Sequence, residues 1–288
     1  MPLDRLLSRC DLPAPGTVVT CAVSGGADSL ALLALATAGG CVVTAIHVDH
    51  GLRPGSGAEA DVVATAAARF GAAFRSERAT VEPGPNLEAR ARAARYAVLP
   101  ADALTGHTAD DQAETVLLNL LRGAGLDGLT GYQPERRPIR GLRRRETRAL
   151  CDELGLVPVD DPSNDDPRFR RNRVRHELLP LADAIAERDV AEVLARQADL
   201  LRADGALLDS LAAALDPTDA RALTAAPEPL ARRAVRAWLR TGPECHPPDG
   251  ATVERVLRVA RGDAVAADVG QGRSVRRSRG HLDLQAGQ

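Results

Sequence analysis

The 288-residue chain contains no lysine; all 37 of its basic residues are arginine. No side-chain ammonium can serve as nucleophile or phosphate clamp, so arginine has to do the clamping. Any amine that the chemistry needs has to arrive with a substrate. The abundance of Ala, Arg and Gly fits GC-rich codon usage as the plain cause. Aromatic residues make up only 2% of the chain against a hydrophobic content of 44%, so the core has to be built from Ala, Leu and Val. The five cysteines, Cys10, Cys21, Cys41, Cys151 and Cys245, are scattered without a CxxC pair. That pattern argues against a zinc site, an iron–sulfur cluster or a disulfide framework. No apolar run approaches membrane-spanning length, and the first fifteen residues lack a signal-peptide core. A soluble, cytoplasmic chain with no membrane partner is expected. The net charge of −2 provides no global basic field, so a nucleic-acid partner has to be met by local patches.

What is present centres on Val18–Ala36, VVTCAVSGGADSLALLALA. It reads as a buried strand (Val18–Val23), a glycine turn (Ser24, Gly25, Gly26) and an apolar helix starting near Asp28 and Ser29. A strand that passes through two glycines into a helix makes an anion site, because free amides and the positive end of the helix dipole face the ligand. Ser24 and Ser29 add hydroxyl donors, and Asp28 suits either a helix cap or a divalent metal bridging phosphates. The spacing is not that of a Walker A loop.

Downstream, Cys41–Asp49 reads as a second strand, apolar throughout as in a sheet buried on both faces. It ends in His47, Asp49 and His50, near the carboxyl end of the sheet where α/β proteins bind ligands. A helix from about Gly57 to Phe70 and a weak strand Ala73–Arg78 follow. A helix Leu87–Leu99 then carries Glu88, Arg92 and Arg95 on one face; Glu88 and Arg92 suit a surface ion pair, and Arg95 suits the cleft. After a short strand ending at Gly106 come His107 and Thr108, the latter an N-cap for a helix to Arg122. Its first turn holds Asp110, Asp111 and Glu114. Acids there complement the helix dipole, and a second carboxylate cluster at another strand end also suits Mg²⁺–ATP chemistry, with Asp111 favoured.

Tyr132–Arg148 holds seven arginines and is expected to form a strand, Arg137–Gly141, and the start of a helix, Arg144–Leu154. An acidic block, Asp160–Asp166, precedes a basic one containing Arg170, Arg171, Asn172, Arg173, Arg175 and His176. The two blocks either neutralise each other or line a channel for a polyanion and an amine. Residues 183–262 read as Ala/Leu-rich helices, and Val265–Leu284 as a terminal β-hairpin whose Arg273, Arg276, Arg277 and Arg279 are candidates for nucleic-acid contact. The domains expected are 1–182 and 183–288.

Ser-Gly-Gly-x-Asp-Ser resembles the PP-loop of the ATP pyrophosphatases. The ordered set HVDHGLRPGS, NLEARARAARY, GHTADDQAET with LLRGAGLDGL, and DDPSNDDPRFRRNRVRHELLP resembles the signature of the tRNA(Ile)-lysidine synthase family across most of residues 18–181. The resemblance implies an adenine-nucleotide α-hydrolase-like α/β domain with a parallel sheet, followed by a smaller, mostly helical tRNA-binding domain. It implies that ATP adenylates C2 of the wobble cytidine in the CAU anticodon of an isoleucine tRNA. The amine of free L-lysine then displaces AMP to give lysidine. By the same resemblance Ser24, Gly25, Gly26, Ala27, Asp28, Ser29, His47, Asp49 and His107 serve ATP, and Asp28 and Asp111 hold Mg²⁺. Asp28, Arg95 and Asp111 carry catalysis, and Arg122, Arg171, Asn172 and Arg175 lie on the tRNA and lysine side. A homodimer is compatible with it. The cluster Arg143–Arg145 is denser than the family pattern, and the chain ends without the further C-terminal domain of longer members, which bears on how distal parts of the tRNA are gripped. Alternatives are a PP-loop tRNA thiolase, a small-molecule amide-forming adenylating synthetase, or a nucleotide sensor of the same fold that needs no carboxylates at two strand ends.

Overall fold

The computed structural model describes residues 3–49, 57–80, 87–160, 165–240 and 248–286. His50, Arg53 and the stretch 161–164 lie outside these residues, as do the side chains of Glu88 and Arg92. Two compact units divide the chain, residues 1–199 and 200–288.

The first unit opens with a short helix α1 (Leu3–Leu7) and strand β1 (Val18–Ala22), followed by α2 (Ala27–Ala38), β2 (Val42–Asp49), α3 (Gly57–Arg69), β3 (Ala73–Arg78), α4 (Leu87–Val98) and β4 (Leu104–Thr105). The four strands form one sheet in the order β3-β2-β1-β4, and every pair is parallel. Chain order reverses at β1, which lies between β2 and β4. The crevice for a ligand is therefore expected at the carboxyl ends of β1 and β4. Helix α2 is apolar on all sides, and Leu30 to Ala36 are all buried. A helix of that character belongs inside a layered α/β core. It packs with Cys21, Val43, Ala45, Ile139, Leu142 and Leu150 in one cluster.

After β4 come α5 (Ala109–Leu121), α6 (Leu126–Leu129), a 3₁₀ turn at Pro134–Arg136, α7 (Arg144–Glu153) and α8 (Arg170–Arg173). The last of these runs through a π-helical turn, Val174–Leu178, into α9 (Leu179–Ala186). Two expectations are corrected here. Arg137–Gly141 is not a strand but a pair of turns, closed by Arg140 N–H to Arg137 O at 3.1 Å and Leu142 N–H to Ile139 O at 2.9 Å. Pro138 lacks the N–H that a ladder needs. Ile139 and Leu142 still supply buried side chains, which is what gave the segment its apolar look. Asp28 is also not the cap of α2: Gly26 is, and Asp28 sits within the first turn.

Helix α10 (Val190–Ala212) contains the division between the units. The second unit continues with α11 (Ala220–Ala225), α12 (Glu228–Leu239), α13 (Gly250–Arg261) and strands β5 (Ala266–Gly270), β6 (Arg273–Ser278) and β7 (His281–Ala286). The strands form a three-stranded antiparallel meander rather than the expected hairpin; β5, interrupted by an irregularity at Asp268/Gly270, is the strand that the glycines obscured. Val235, Leu239, Val256, Leu257, Val275 and Leu282 form its core. Two of the expected nucleic-acid arginines have structural partners: Arg273 donates to Leu239 O at 3.3 Å and Arg277 to Ala260 O at 2.8 Å. Each thus satisfies a carbonyl in the last turn of a helix, where a cation is favourable.

Candidate active site

The loop after β1 is knit from its own serines. Ser29 Oγ accepts the Ser24 N–H at 3.1 Å and donates to Gly26 O at 2.8 Å. Gly25 adopts φ +90°, and its carbonyl accepts the Val159 N–H at 3.0 Å. A side chain at Gly25 would need the left-handed conformation that glycine adopts freely. The loop therefore leaves the first amides of α2, Ala27 among them, at the end of β1 with no acidic cap. Beside it, β4 is followed by Gly106, where a Cβ would meet the Asp28 carbonyl oxygen at 2.6 Å. That close approach brings the first turns of α2 and α5 together, and with them Asp28 and Asp111.

The acids of α5 fall into two roles. Asp110 accepts the Arg143 guanidinium through both oxygens at 3.0 and 2.9 Å, and the backbone N–H of Arg144 at 2.7 Å. Burial favours the neutral acid, but these bonds outweigh it and Asp110 is held below the usual carboxylate range. Asp110 is thus the anchor of α7. Asp111 faces inward; its Oδ2 accepts the Thr108 N–H at 2.9 Å and the Thr108 hydroxyl at 3.0 Å. Thr108 is the cap position expected for α5.

Asp28, Asp111 and Glu114 meet three arginines. Arg144 reaches all three acids: Nε to Asp28 Oδ2 at 3.4 Å, Nη2 to Asp111 Oδ1 at 3.0 Å and Nη1 to Glu114 Oε1 at 3.1 Å. Arg171 pairs with Glu114 at 2.5 Å and Asp111 at 2.9 Å, and donates to Tyr132 Oη at 2.8 Å. Arg175 completes the set on Glu114 at 2.7 and 3.3 Å. Glu114 is fully buried, which a carboxylate tolerates only when its charge is matched. Arg171 and Arg175 stand four residues apart and so reach the same carboxylate from one face. Burial pushes the Asp28 carboxyl up to about 6, and the neighbouring Asp111 charge adds to this; Arg144 and the Thr147 hydroxyl, which donates to Asp28 Oδ1, offset part of it. For Asp111 burial acts in the same direction, but Arg144 and Arg171 overcome it and hold the acid well below its ordinary range.

The other expected residues are placed as follows. His47 is buried on β2; its Nδ1 lies 3.1 Å from Val23 O, while its Nε2 is buried without a hydrogen-bond partner. A ring nitrogen against a carbonyl donates, so in the neutral ring Nε2 carries a lone pair. His107 pairs through Nδ1 with the Thr105 hydroxyl at 2.8 Å and stands 4.6 Å from the Tyr132 ring. Asp49 ends β2, its carbonyl accepting the Ala79 N–H at 2.8 Å. Arg95 sits on α4 with its guanidinium 5.7 Å from the Tyr96 ring, a ring that Arg136 approaches from 5.2 Å. Asn172 is buried and donates to Asp166 O at 2.9 Å, closing the turn before α8. Arg122 caps the far end of α5, about 16 Å along the helix from Asp111 at ~1.5 Å per residue.

Arg144 and Thr147 are residues to which the sequence alone assigns no role in the site, and Glu114 is read there only as one of a carboxylate cluster in which Asp111 is favoured. Arg144 was hidden in a run of like residues, and Thr147 carries no signal. Glu114 stood three residues after Asp111, a helical spacing that puts both on one side.

Comparison with known proteins adds the following. Residues 4–182 match the PP-loop domain family and residues 219–282 match the TilS substrate binding domain. A tRNA(Ile)-lysidine synthase of Nocardia farcinica is 49% identical over 79% of this chain and 77% of its own. The enzyme of that description from Rhodococcus erythropolis is 46% identical over 79% and 75%. Among solved structures, a U34-tRNA thiolase from Methanococcus maripaludis, determined with its 4Fe–4S cluster, superposes with a TM-score of 0.55 at 17% identity. The match covers 69% of this chain and 78% of that one. That likeness concerns the fold.

Proposed function

Because the chain belongs to the tRNA(Ile)-lysidine synthase family, we propose that it is an ATP-dependent ligase which adenylates C2 of the wobble cytidine of tRNA(Ile) with a CAU anticodon and joins free L-lysine to it. The observation that carries this reading is the meeting of Asp28 and Asp111, from helices after two different strands, beside a serine–glycine loop at the switch point of the sheet. The cytidine oxygen attacks the α-phosphate and pyrophosphate leaves; the lysine amine then attacks C2 and AMP leaves with that oxygen. An amine supplied as substrate agrees with a chain that has none in its side chains.

Ser24, Gly25, Gly26, Ala27 and Ser29 serve the departing pyrophosphate through amides and hydroxyls aimed at where its charge develops. The orphaned lone pair of His47 Nε2 accepts an exocyclic amine, as adenine presents, with Asp49 and His107 beside it at neighbouring strand ends. Mg²⁺ typically keeps several waters and takes one or two carboxylates together with phosphate oxygens. The Asp28 and Asp111 oxygens suit it, although among the described residues no three metal-binding side chains form a cage. Bound there, Mg²⁺ would neutralise phosphate charge. Arg95 serves as phosphate clamp, Arg171 and Arg175 hold Glu114 in place on the tRNA and lysine side, and Asn172 keeps the turn that presents them. Arg122, far along α5, is left to tRNA contact, as are the exposed Arg276 and Arg279. No described helix is long and apolar enough to cross a membrane, and ATP, free lysine and tRNA are met together in the cytoplasm.

The test is incubation with ATP, Mg²⁺, labelled lysine and tRNA(Ile) transcripts bearing C or U at the wobble position. Label should pass only to the C-containing tRNA, with AMP and pyrophosphate formed. No transfer by a folded preparation would overturn the reading.

A further inference from the structure

We propose that Arg144 is a counter-ion exchanged on substrate binding: it holds Asp28 and Asp111 in the free protein, and passes to the triphosphate when metal and nucleotide enter. The inference rests on the nucleotide site described above and adds a residue to it.

Its basis is the division of labour among the three arginines. Glu114 keeps Arg171 and Arg175 if Arg144 withdraws, and Asp111 keeps Arg171 and both Thr108 donors. Arg144 alone of the three reaches Asp28, and by its longest contact, 3.4 Å. Leaving therefore takes from Asp28 its guanidinium partner and from Asp111 one of two, while the fully buried Glu114 stays neutralised. The backbone of Arg144 is pinned independently of its guanidinium: Asp110 grips its N–H at 2.7 Å and the preceding Arg143 bidentately. An exchange of its partners would therefore leave the start of α7 in place.

Charge balance makes the exchange conditional. Asp28, Asp111 and Glu114 against Arg144, Arg171 and Arg175 sum to zero. A divalent cation entering alone adds two positive charges beside three guanidinium groups and is disfavoured. A nucleotide entering alone meets two carboxylates. Metal and triphosphate together bring both signs: the metal pairs with the carboxylates, and the guanidinium that it displaces finds phosphate oxygens in its fork, a pairing that it makes bidentately. Metal and nucleotide binding are then coupled through one side chain, and the coupling is reciprocal.

Mn²⁺ binding followed by electron paramagnetic resonance, with and without α,β-methylene-ATP, reads this directly. In the wild-type protein the analogue should tighten Mn²⁺ binding at least tenfold. Arg144→Met should bind Mn²⁺ at least tenfold more tightly than wild type without nucleotide, lose most of the coupling, and bind the Mn²⁺–analogue pair at least tenfold more weakly. Arg144→Gln should behave alike and Arg144→Lys should retain coupling, which separates charge from shape; near-ultraviolet circular dichroism checks that each variant is folded. Equal nucleotide-free Mn²⁺ affinity in wild type and Arg144→Met, or unchanged coupling in the variant, overturns the proposal. Failure of the wild type to bind Mn²⁺ even with bound analogue overturns the metal assignment as well, and is told apart by that pattern.

Discussion

Glu114 is the residue on which the inner ion network turns, since it is fully buried and meets Arg144, Arg171 and Arg175. Removing one member of a buried charge set leaves the others uncompensated, at a cost of about 3–5 kcal/mol. Glu114→Gln is therefore expected to lower stability by about that much in urea unfolding at neutral pH, whereas a Gln at exposed Glu192 should be silent. This residue also marks how far the sequence could be read. Asp28 and Asp111 stood out because each follows a strand and opens a helix. Glu114 had the same composition as any acid in a helix's first turns, and what distinguishes it is three arginines from 30 to 61 positions away. No local pattern contains that information. For Arg144 the difficulty was the reverse: three adjacent arginines, Arg143, Arg144 and Arg145, look alike, yet one anchors a helix, one enters the site and one is exposed.

At the scale of elements, the site depends on how the first turns of α2, α5 and α7 abut. Gly106 sets the first contact, and Gly106→Ala would press a methyl group onto the Asp28 carbonyl. The expected cost is about 1–3 kcal/mol, together with weaker ATP-analogue binding measured by calorimetry, because α2 itself has to shift. The start of α7 is held by Glu146, which accepts the Arg143 N–H at 2.8 Å and pairs with Arg9. Burial alone would raise the Glu146 carboxyl, but these bonds hold it below its ordinary value. A lowered native value contributes stability that is present above the unfolded-state value, about 4.3, and is lost as pH falls through the native one. Glu146→Gln should thus be less stable than wild type by about 1 kcal/mol at neutral pH. The gap should close below about pH 4 in thermal unfolding. The elements themselves were largely legible: β1, α2, β2, α3 and β3 follow from apolar runs and glycines. Arg137–Gly141 misled because a turn with two buried aliphatic side chains carries the composition of a short strand.

Across the whole molecule, scarcity of aromatic residues did translate into a core of small aliphatic side chains, with Cys21 and Cys151 filling gaps in the first unit. Burial pushes the Cys21 thiol up to about 12 and the Cys151 thiol up to about 11, the latter with help from the Asp28 and Asp152 charges. Both should resist iodoacetamide in the native protein and react only as the first unit unfolds, a coincidence that mass spectrometry across a thermal ramp would reveal. The second unit was legible as helices but not as a sheet, because the alternation around Gly270 and Gly272 fits two strands as well as three. Two of its arginines, Arg273 and Arg277, proved to serve helix ends, a use that composition cannot separate from nucleic-acid contact.

The absence of lysine has one more consequence where Arg144, Arg171 and Arg175 meet their acids. A buried ammonium gives up its proton readily, whereas a guanidinium keeps its charge at any pH a cell meets. The basic half of this network is thus permanently switched on. Alkali within the range of a folded protein cannot dissolve it, whereas Asp28, raised by burial to about 6, is set to take up a proton on mild acidification.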